Sequence, residues 1–515
     1  MTDLLPDLNK EKLEKLRQAV MDFPENGEAN TALGLALARL RQSQQTAEPY
    51  LLKALSDTNL SEESRVTVCF CLGNIYSARA DFQRALAFAE LGHQLRPTTL
   101  DFRVMRIQCQ FRLGLYKEAS RNAAEVVAAQ STVAARYGQA YGRGPVHVLA
   151  PELQIQRYFG ELAAKPDLYL KAQALGLIQQ AETFLAITPH EVSNPALMDY
   201  WREHITVVEG GEALNRAVPG PVKPRFFLDF CPVPDGRTLH RDQAHRMVQK
   251  AWEAKGEGPL LSLRDDHRDQ GYQRLKALGF AEGDWFVAWH VRDAATYNEG
   301  HAWSGNRFRN AETVAYEAAV RLILDQGGWV VRLGDPAMPR LSFEHPRLID
   351  YAHGDDSLRA DWMDLFLVAE ARFYFGMASG PSSVAVNFGT PTLGTNWFHL
   401  GPWPYCTGDL FIPKRLVREK DGTPLSMTES LVPDLWGALE PPLFEASGIT
   451  VEDNTSEEIL AATEEMLARL DGSFVASAED EARQKAFAKA ADPLNLGMPA
   501  RCGTDFLRRH PELCR

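Results

Sequence analysis

Arginine side chains follow two of the short apolar segments that predict buried strands in the C-terminal half of the chain. Arg292 comes directly after the segment 285–291, and Arg332 lies within the segment 329–333. Arg309 lies between the first segment and the helix predicted after it. Because the carboxyl ends of parallel strands meet at one edge of a sheet, we expect these arginines to converge. Guanidinium groups make paired hydrogen bonds to phosphate oxygens, so the pattern predicts a diphosphate site.

A serine-rich stretch supports the same prediction, because it leads from a predicted strand straight into a predicted helix. Backbone N–H groups and hydroxyls at a helix N-terminus suit an anion. The stretch contains Ser379, Gly380, Ser382 and Ser383. Other polar residues near the predicted strand ends complete the expected contact set: His290, Asp293, Arg307, Asn310, Gly334, Asp335, Thr395 and Asn396.

Several well-known motifs are missing from the sequence. No GxxxxGK[ST] occurs, and no GxGxxG follows a predicted strand, which argues against a P-loop nucleotidase and a dinucleotide-dependent dehydrogenase. No HExxH, paired-cysteine zinc spacing or GxSxG elbow is present. The stretch 354–356, Gly-Asp-Asp, lacks the apolar run expected before a metal-binding strand end and is interpreted as a loop. The sequence therefore predicts neither an essential metal nor a cofactor.

Short apolar segments alternate with helical patterns after about residue 130, which predicts α/β architecture with parallel strands. The predicted strands are 146–150, 205–208, 226–230, 285–291, 329–333, 348–351, 372–377 and 391–394. The predicted helices are 241–255, 311–326 with Asn310 as its cap, 361–371, one beginning at 382–388, and 456–470. The polar segment 471–515 is expected to pack over the surface.

A 34-residue recurrence marks the N-terminal part. Ala85 recurs as Ala119, and Ala89 recurs as Ala123, within helical patterns. Small residues at such positions let paired helices approach closely, and the spacing resembles that of tetratricopeptide repeats over about residues 26–130. This resemblance implies a groove that binds a protein partner. The predicted domains are therefore 1–130 (repeat), 131–265 and 266–470 (two α/β halves) and 471–515 (tail).

Composition limits the class of protein. The 515 residues include 68 acidic and 55 basic ones, a formal net charge of −13, with 45 % apolar and 24 % charged residues. These values are typical of a globular protein and argue against general binding to nucleic acid. No signal-peptide pattern and no long apolar segment occurs, so we predict a cytoplasmic protein whose only membrane association would be peripheral.

A resemblance adds a function to this site. The stretches 286–293, 308–312, 328–335, 361–370 and 375–381 resemble a family of bacterial glycosyltransferases linked to surface-polysaccharide and O-antigen clusters. The segment 506–511 resembles that family's ending, and the strand end His290-Val291-Arg292 is similar to that of fucosyltransferases. The resemblance implies a GT-B-like pair of Rossmann-like domains with a nucleotide-sugar donor between them. It also implies that Arg292 contacts the donor diphosphate.

Glycosyl transfer needs positive charge on the leaving diphosphate and a group that takes the acceptor's proton. Arg292 is the first candidate for the charge, with Arg309 and Arg332 in support, whereas Asp293 and His290 are candidates for the proton acceptor. Asp364, on a predicted helix, is interpreted as structural. Three functions remain open: transfer to a protein acceptor of the flagellin kind, transfer to a lipid-linked acceptor in surface-polysaccharide synthesis, and a non-catalytic repeat scaffold.

Overall fold

Helices alone build the described part of the N-terminal compact unit, residues 1–126. The computed structural model describes residues 10–40, 44–149, 155–293, 308–354, 357–398, 400–432, 435, 444 and 447–515. The helices are α1 (Lys10–Asp22), α2 (Gly27–Arg39), α3 (Gln44–Ser56), α4 (Glu62–Ala78), α5 (Phe82–Leu95), α6 (Leu100–Arg112) and α7 (Tyr116–Ala140). The last of them continues past residue 126.

Small residues lie where these helices pack. Ala85, Ala89, Ala119 and Ala123 are all completely buried. At Gly92 on α5, an added Cβ would lie only 2.0 Å from a ring carbon of Phe102 on α6, so a larger residue cannot fit. The helical repeat predicted from the 34-residue recurrence is confirmed, whereas its assignment as tetratricopeptide repeats stays a prediction.

The second compact unit, residues 127–515, contains two parallel sheets. The strands of the first are β1 (Val146–Leu149), β2 (Glu182–Ile187), β3 (Thr206–Glu209) and β4 (Arg225–Phe226). They lie in the order β3-β2-β1-β4, and every pairing is parallel. The hairpin β5 (Phe230–Pro232) and β6 (Thr238–His240) follows. The associated helices are α8 (Phe159–Ala174), α9 (Pro195–Trp201), α10 (Gly210–Ala217) and α11 (Arg241–Ala254).

The second sheet is larger. Its strands are β7 (Phe286–His290), β8 (Trp329–Arg332), β9 (Leu348–Ile349), β10 (Tyr374–Gly376), β11 (Thr392–Trp397), β12 (Leu410–Pro413) and β15 (Arg501–Cys502). A separate antiparallel ribbon is formed by β13 (Arg415–Arg418) and β14 (Ile449–Glu452). The sheet has the order β15-β12-β11-β10-β7-β8-β9. The helices are α12 (Asp265–Ala277), α13 (Glu317–Asp325), α14 (Asp361–Ala369), α15 (Gly380–Phe388), α16 (Met427–Ser430), α17 (Ser456–Leu470), α18 (Ala478–Ala490) and α19 (Thr504–Arg509).

Apolar side chains from both sheets form one buried core. Leu162 and Ala163 of α8 share it with Val384 and Ala385 of α15. The amide of Asn387 also donates a 3.2 Å hydrogen bond to the carbonyl of Ala163. The predicted fold class, a helical repeat followed by two parallel α/β sheets, is confirmed.

Some predicted boundaries were wrong. The expected strand 226–230 divides into β4 and the first strand of a hairpin, and the helix expected over 311–326 begins only with a 3₁₀ turn at Thr313–Tyr316. Glu312 precedes that turn, so Asn310 is not a helix cap. The reason is long-range: the backbone N–H of Ala311 donates to the carbonyl of Arg292 at 3.0 Å, which holds this segment against the end of β7.

The C-terminal segment 471–515 is more than a surface tail. It contributes the edge strand β15, which pairs with β12, and two helices. Phe487, Cys502 and Phe506 are buried in it. A two-residue strand has no periodicity of its own, so only the partner strand reveals it. The strands β2 and β12 were also missed.

Candidate functional site

The second sheet has a topological switch point between β7 and β10. The chain runs from β7 through β8 to β9, then returns to the other side of β7 and continues as β10, β11 and β12. In open parallel sheets, ligands bind outside the carboxyl ends of the strands at such a point. His290 ends β7, Gly376 ends β10, and these two residues are paired across the switch point.

Gly376 makes this approach possible. Its φ of +153° is one that residues with side chains rarely adopt, and an added Cβ would lie 2.0 Å from the carbonyl oxygen of His290. The two strand ends are therefore closely packed, and the residues that follow them leave from adjacent positions.

His290 lies among the predicted arginines. Its side chain is buried, and its Nδ1 has no hydrogen-bond partner among the described residues. Burial, and after it the charges of Arg292, Arg332 and Arg309 in that order, lower the pKa of His290 to about 3. All three guanidinium groups thus act on His290, whereas their convergence on a diphosphate stays a prediction. A histidine in this field is neutral at pH 7 and is a weak proton acceptor until negative charge arrives.

Arg292 and Asp293 come immediately after β7. Both are buried, with 7 % and 8 % of their surface exposed. They lie at the carboxyl edge of the sheet rather than in its apolar layer. Their predicted roles, diphosphate contact and proton acceptor, stay predictions.

Arg309 connects the arginines with the N-terminus of α15. Its Nη2 donates a 2.6 Å hydrogen bond to the carbonyl of Ala378, one residue before the helix N-cap, Ser379. The hydroxyl of Tyr374 binds the Ser379 hydroxyl at 2.9 Å, and the Ser382 hydroxyl accepts from the Ser379 backbone N–H at 3.1 Å. The Ser379 and Ser382 hydroxyls are thus used within the turn. Gly380 and Ser383 at the start of the helix are partly exposed.

Arg332 is also held by protein groups. Its Nη1 donates to the carbonyl of Pro339 at 2.8 Å and pairs with Asp350 at 3.3 Å, whereas its Nη2, also buried, has no hydrogen-bond partner among the described residues. Asp335, beyond Gly334, is exposed and caps a turn by accepting from the backbone N–H of Ala337. This geometry favours a structural part for Arg332, and the donor contacts of Gly334 and Asp335 stay predictions.

Thr395 and Asn396 face the interior of the protein. Both are completely buried and bind the hydroxyl of Tyr316 at 3.0 Å. Asn396 also exchanges two backbone–side-chain hydrogen bonds with Asn454. The carbonyl of Asn310 accepts from Lys414. Because the side chains of Thr395 and Asn396 already have protein partners, the geometry does not favour their predicted contact with a donor. The side-chain oxygen of Asn310 is buried without a hydrogen-bond partner among the described residues, and its donor contact stays a prediction.

The first sheet contributes one helix end that sequence reasoning missed. The N-terminus of α8 meets that of α15, with a Cβ added at Gly160 only 3.4 Å from the Cα of Gly380. The only available signal was the glycine at each helix start, which is too common to identify a contact between segments so distant in sequence.

The remaining predicted residues either lie outside the described residues or, like Asp364, have a role that stays a prediction. Arg307, Asp355 and Asp356 are not described. Asp364 is not fully buried, and desolvation raises its pKa to about 6 beside Tyr351. Across the described ranges, no group of three His, Cys, Asp or Glu side chains could hold a metal ion. In the same part of the chain, no helix has the length and apolar character needed to cross a membrane.

Comparisons with known proteins give distant structural matches. No family model and no curated protein matches the chain. The structure of E. coli ADP-heptose LPS heptosyltransferase II is similar at 12 % identity over 63 % of this chain and 99 % of that chain, with a TM-score of 0.34. A Thermobaculum terrenum O-GlcNAc transferase mutant is similar at 12 % identity over 98 % of this chain and 93 % of that chain, with a TM-score of 0.28. A glycosyl transferase family 9 protein from Veillonella parvula is similar at 13 % identity over 48 % of this chain and 79 % of that chain, with a TM-score of 0.31. At these scores, no activity is carried over to this chain.

Proposed function

We propose that the chain is a glycosyltransferase that binds a nucleotide-sugar donor by its diphosphate at the switch point of the second sheet. The observation that carries the proposal is the position of two arginines at the switch point: Arg292 follows the end of β7, and Arg309 binds the carbonyl of Ala378 just before α15. Guanidinium groups make paired, charge-assisted hydrogen bonds to phosphate oxygens, which suits a diphosphate at this edge. The nearby N-terminus of α15 adds partial positive charge.

In the proposed reaction, the bond between the sugar and the diphosphate breaks while the acceptor forms a new bond to the sugar. Negative charge grows on the leaving diphosphate, so fixed guanidinium groups stabilise the transition state more than the bound donor. Arg292 is proposed as the main contact and Arg309 as its support. No metal is needed for this neutralisation in the proposal, and no cofactor takes part.

The acceptor is proposed to be a protein. The feature that favours it is the N-terminal helical unit, since stacked helix pairs form extended surfaces that bind other proteins. This proposal includes a cytoplasmic location and a protein partner bound by the repeat. A lipid-linked acceptor at a membrane surface is the second candidate, in agreement with the resemblance of the sequence to polysaccharide-cluster transferases.

A thermal-shift screen tests the proposal. The probes are UDP, GDP, ADP and CMP, each alone and as a nucleotide sugar. A ligand present at about 100 times its dissociation constant stabilises the folded state by roughly 2.7 kcal/mol. We expect one nucleoside diphosphate to raise the melting temperature and its sugar conjugate to be cleaved. A chain that none of these ligands stabilises would be a non-catalytic scaffold.

A further inference from the structure

The helices α8 and α15 are associated with different sheets, and their N-termini are in contact. A Cβ added at Gly380 would lie 2.9 Å from Cδ1 of Phe159 and 3.2 Å from the backbone nitrogen of Gly160. A Cβ added at Gly160 would in turn lie 4.0 Å from the hydroxyl of Ser383. The first turn of α8 therefore lies beside the helix end that, together with Arg309, forms part of the proposed diphosphate site.

Glu161 is the next residue on that first turn. Its carboxylate is fixed by two cations: Nζ of Lys165 at 2.7 Å and Nη2 of Arg241 at 3.3 Å. About a third of the side chain, 34 %, is exposed, whereas Lys165 retains only 5 %. Glu161 is thus held in one orientation, and its carboxylate is still accessible from solvent. An acceptor approaching from solvent could therefore reach this carboxylate.

Arg241 organises this part of the first sheet. Besides Glu161, it pairs with Asp229 at 3.2 Å and with Asp242 at 3.3 Å. Asp229 follows the end of β4, and Arg241 begins α11, so the cluster lies at the carboxyl edge of the first sheet. Three carboxylates against two cations leave this cluster with a net negative charge. The three arginines at the carboxyl edge of the second sheet, Arg292, Arg309 and Arg332 (the arginine set), carry positive charge.

Two buried polar atoms at the carboxyl edge of the second sheet favour a ligand at that edge. Nδ1 of His290 and Nη2 of Arg332 have no hydrogen-bond partner among the described residues, although the two residues retain only 6 % and 2 % of their surface. Such polar atoms are expensive to bury, and a ligand that fills the adjoining space would satisfy them.

From these contacts we propose that Glu161 is a catalytic residue that takes the proton of the acceptor; this inference rests on the proposed glycosyltransferase function. The acceptor's oxygen forms the new bond to the sugar carbon. The bond from that carbon to the diphosphate oxygen breaks, and the electron pair leaves with the nucleoside diphosphate. The acceptor's proton moves to the Glu161 carboxylate and then to water. Lys165 and Arg241 are positioning residues that hold this carboxylate.

The test is the release of nucleoside diphosphate from UDP-glucose, GDP-mannose and ADP-glucose, supplied separately with water as the acceptor. We expect Glu161→Gln to slow the release by about 10²–10⁴-fold, the usual contribution of a general base. The affinity for the corresponding nucleoside diphosphate, read as a thermal shift, should be unchanged. Glu161→Asp keeps a carboxylate and should recover part of the rate. Glu212→Gln, at a glutamate that is 97 % exposed on α10, is the matched control.

The outcomes separate the two proposals. A wild-type rate in Glu161→Gln overturns the role of Glu161 while leaving the glycosyltransferase proposal intact. Equal losses of rate and of nucleotide affinity in both Glu161 variants would also overturn it, because a merely structural residue behaves in this way. A wild-type chain that neither binds nor cleaves any of these donors overturns the proposed function, and the role of Glu161 with it.

Discussion

The guanidinium of Arg309 donates a 2.6 Å hydrogen bond to the backbone carbonyl of Ala378. This bond joins the segment after β7 to the turn that begins α15, and so connects the two sides of the switch point. Without it, the arginine set and the helix N-terminus would be two separate features at one sheet edge. The joint arrangement leads to the predictions below.

Replacing Arg292 by alanine is expected to lower the rate of transfer by about 10²–10³-fold, the usual loss when one electrostatic stabiliser is removed. Arg292→Lys should be impaired less, since it keeps the charge but loses the paired geometry. The melting temperature should fall little, because the proposed role of Arg292 lies at the carboxyl edge of the sheet and not in the apolar core. Steady-state rates and melting curves check this. A large fall in melting temperature with full activity would assign Arg292 a structural part.

Arg332 should behave differently. Arg332→Met leaves Asp350 without its guanidinium partner and the Pro339 carbonyl without a donor. A loss of about 1–3 kcal/mol in the free energy of unfolding is expected from such unsatisfied groups. Chemical denaturation measures it, with nucleotide binding followed in parallel. Unchanged stability combined with lost nucleotide binding would show that Arg332 contacts the donor directly.

His290 should make the protein sensitive to acid. Its folded-state pKa of about 3 lies below its ordinary value of 6.5, so the unfolded chain gains a proton first as the pH falls. Stability from this group is therefore present above pH 6.5 and is lost as the pH falls towards 3. His290→Gln should flatten that decline by up to about 1.4 kcal/mol per pH unit. The measurement is unfolding free energy against pH, with exposed His190→Gln as the control. Parallel curves for wild type and His290→Gln would contradict the prediction.

Gly380→Ala should push α8 and α15 apart, because the new Cβ would lie 2.9 Å from a ring carbon of Phe159. Overpacking of this kind typically costs about 1–3 kcal/mol, and we expect weaker binding of nucleoside diphosphate as well. Gly258→Ala, where an added Cβ has open space, is the control for stability. If Gly380→Ala binds the ligand as the wild type does, the helix contact does not shape the site.

Transfer should continue in the presence of a strong chelator. The arginines, rather than a divalent ion, neutralise the leaving diphosphate in the proposed mechanism. The assay is nucleoside diphosphate release with and without EDTA. Complete loss that Mn²⁺ restores would reveal a carboxylate site.

Local sequence signals identified the strands that carry the arginines. The runs that became β7, β8 and β10 are continuously apolar because a parallel sheet covered on both faces is buried throughout. Such runs predict both a strand and the residue at its end, so His290 and Arg292 could be named. The recurrence of Ala85 as Ala119 likewise predicted helix contacts, since close packing requires small residues at fixed spacing.

Side-chain direction at those strand ends could not be predicted in the same way. Thr395 looked like a donor contact from its position, but its hydroxyl binds Tyr316, and Asn396 binds Asn454. These partners come from other elements of the fold. A polar residue after a strand can face a ligand or another loop, and the spacing of residues along one strand does not distinguish the two.

The sequence by itself determined the helical N-terminal unit, the parallel α/β class and the set of arginines at the strand ends. It did so because burial periodicity and small-residue spacing are properties of one segment at a time. The tertiary structure alone decided that Arg332 pairs with Asp350, that Arg309 reaches Ala378, and that the first turn of α8 touches α15. Those contacts join segments far apart in the chain, and they depend on the order in which the strands pack and on which side chains compete for each partner.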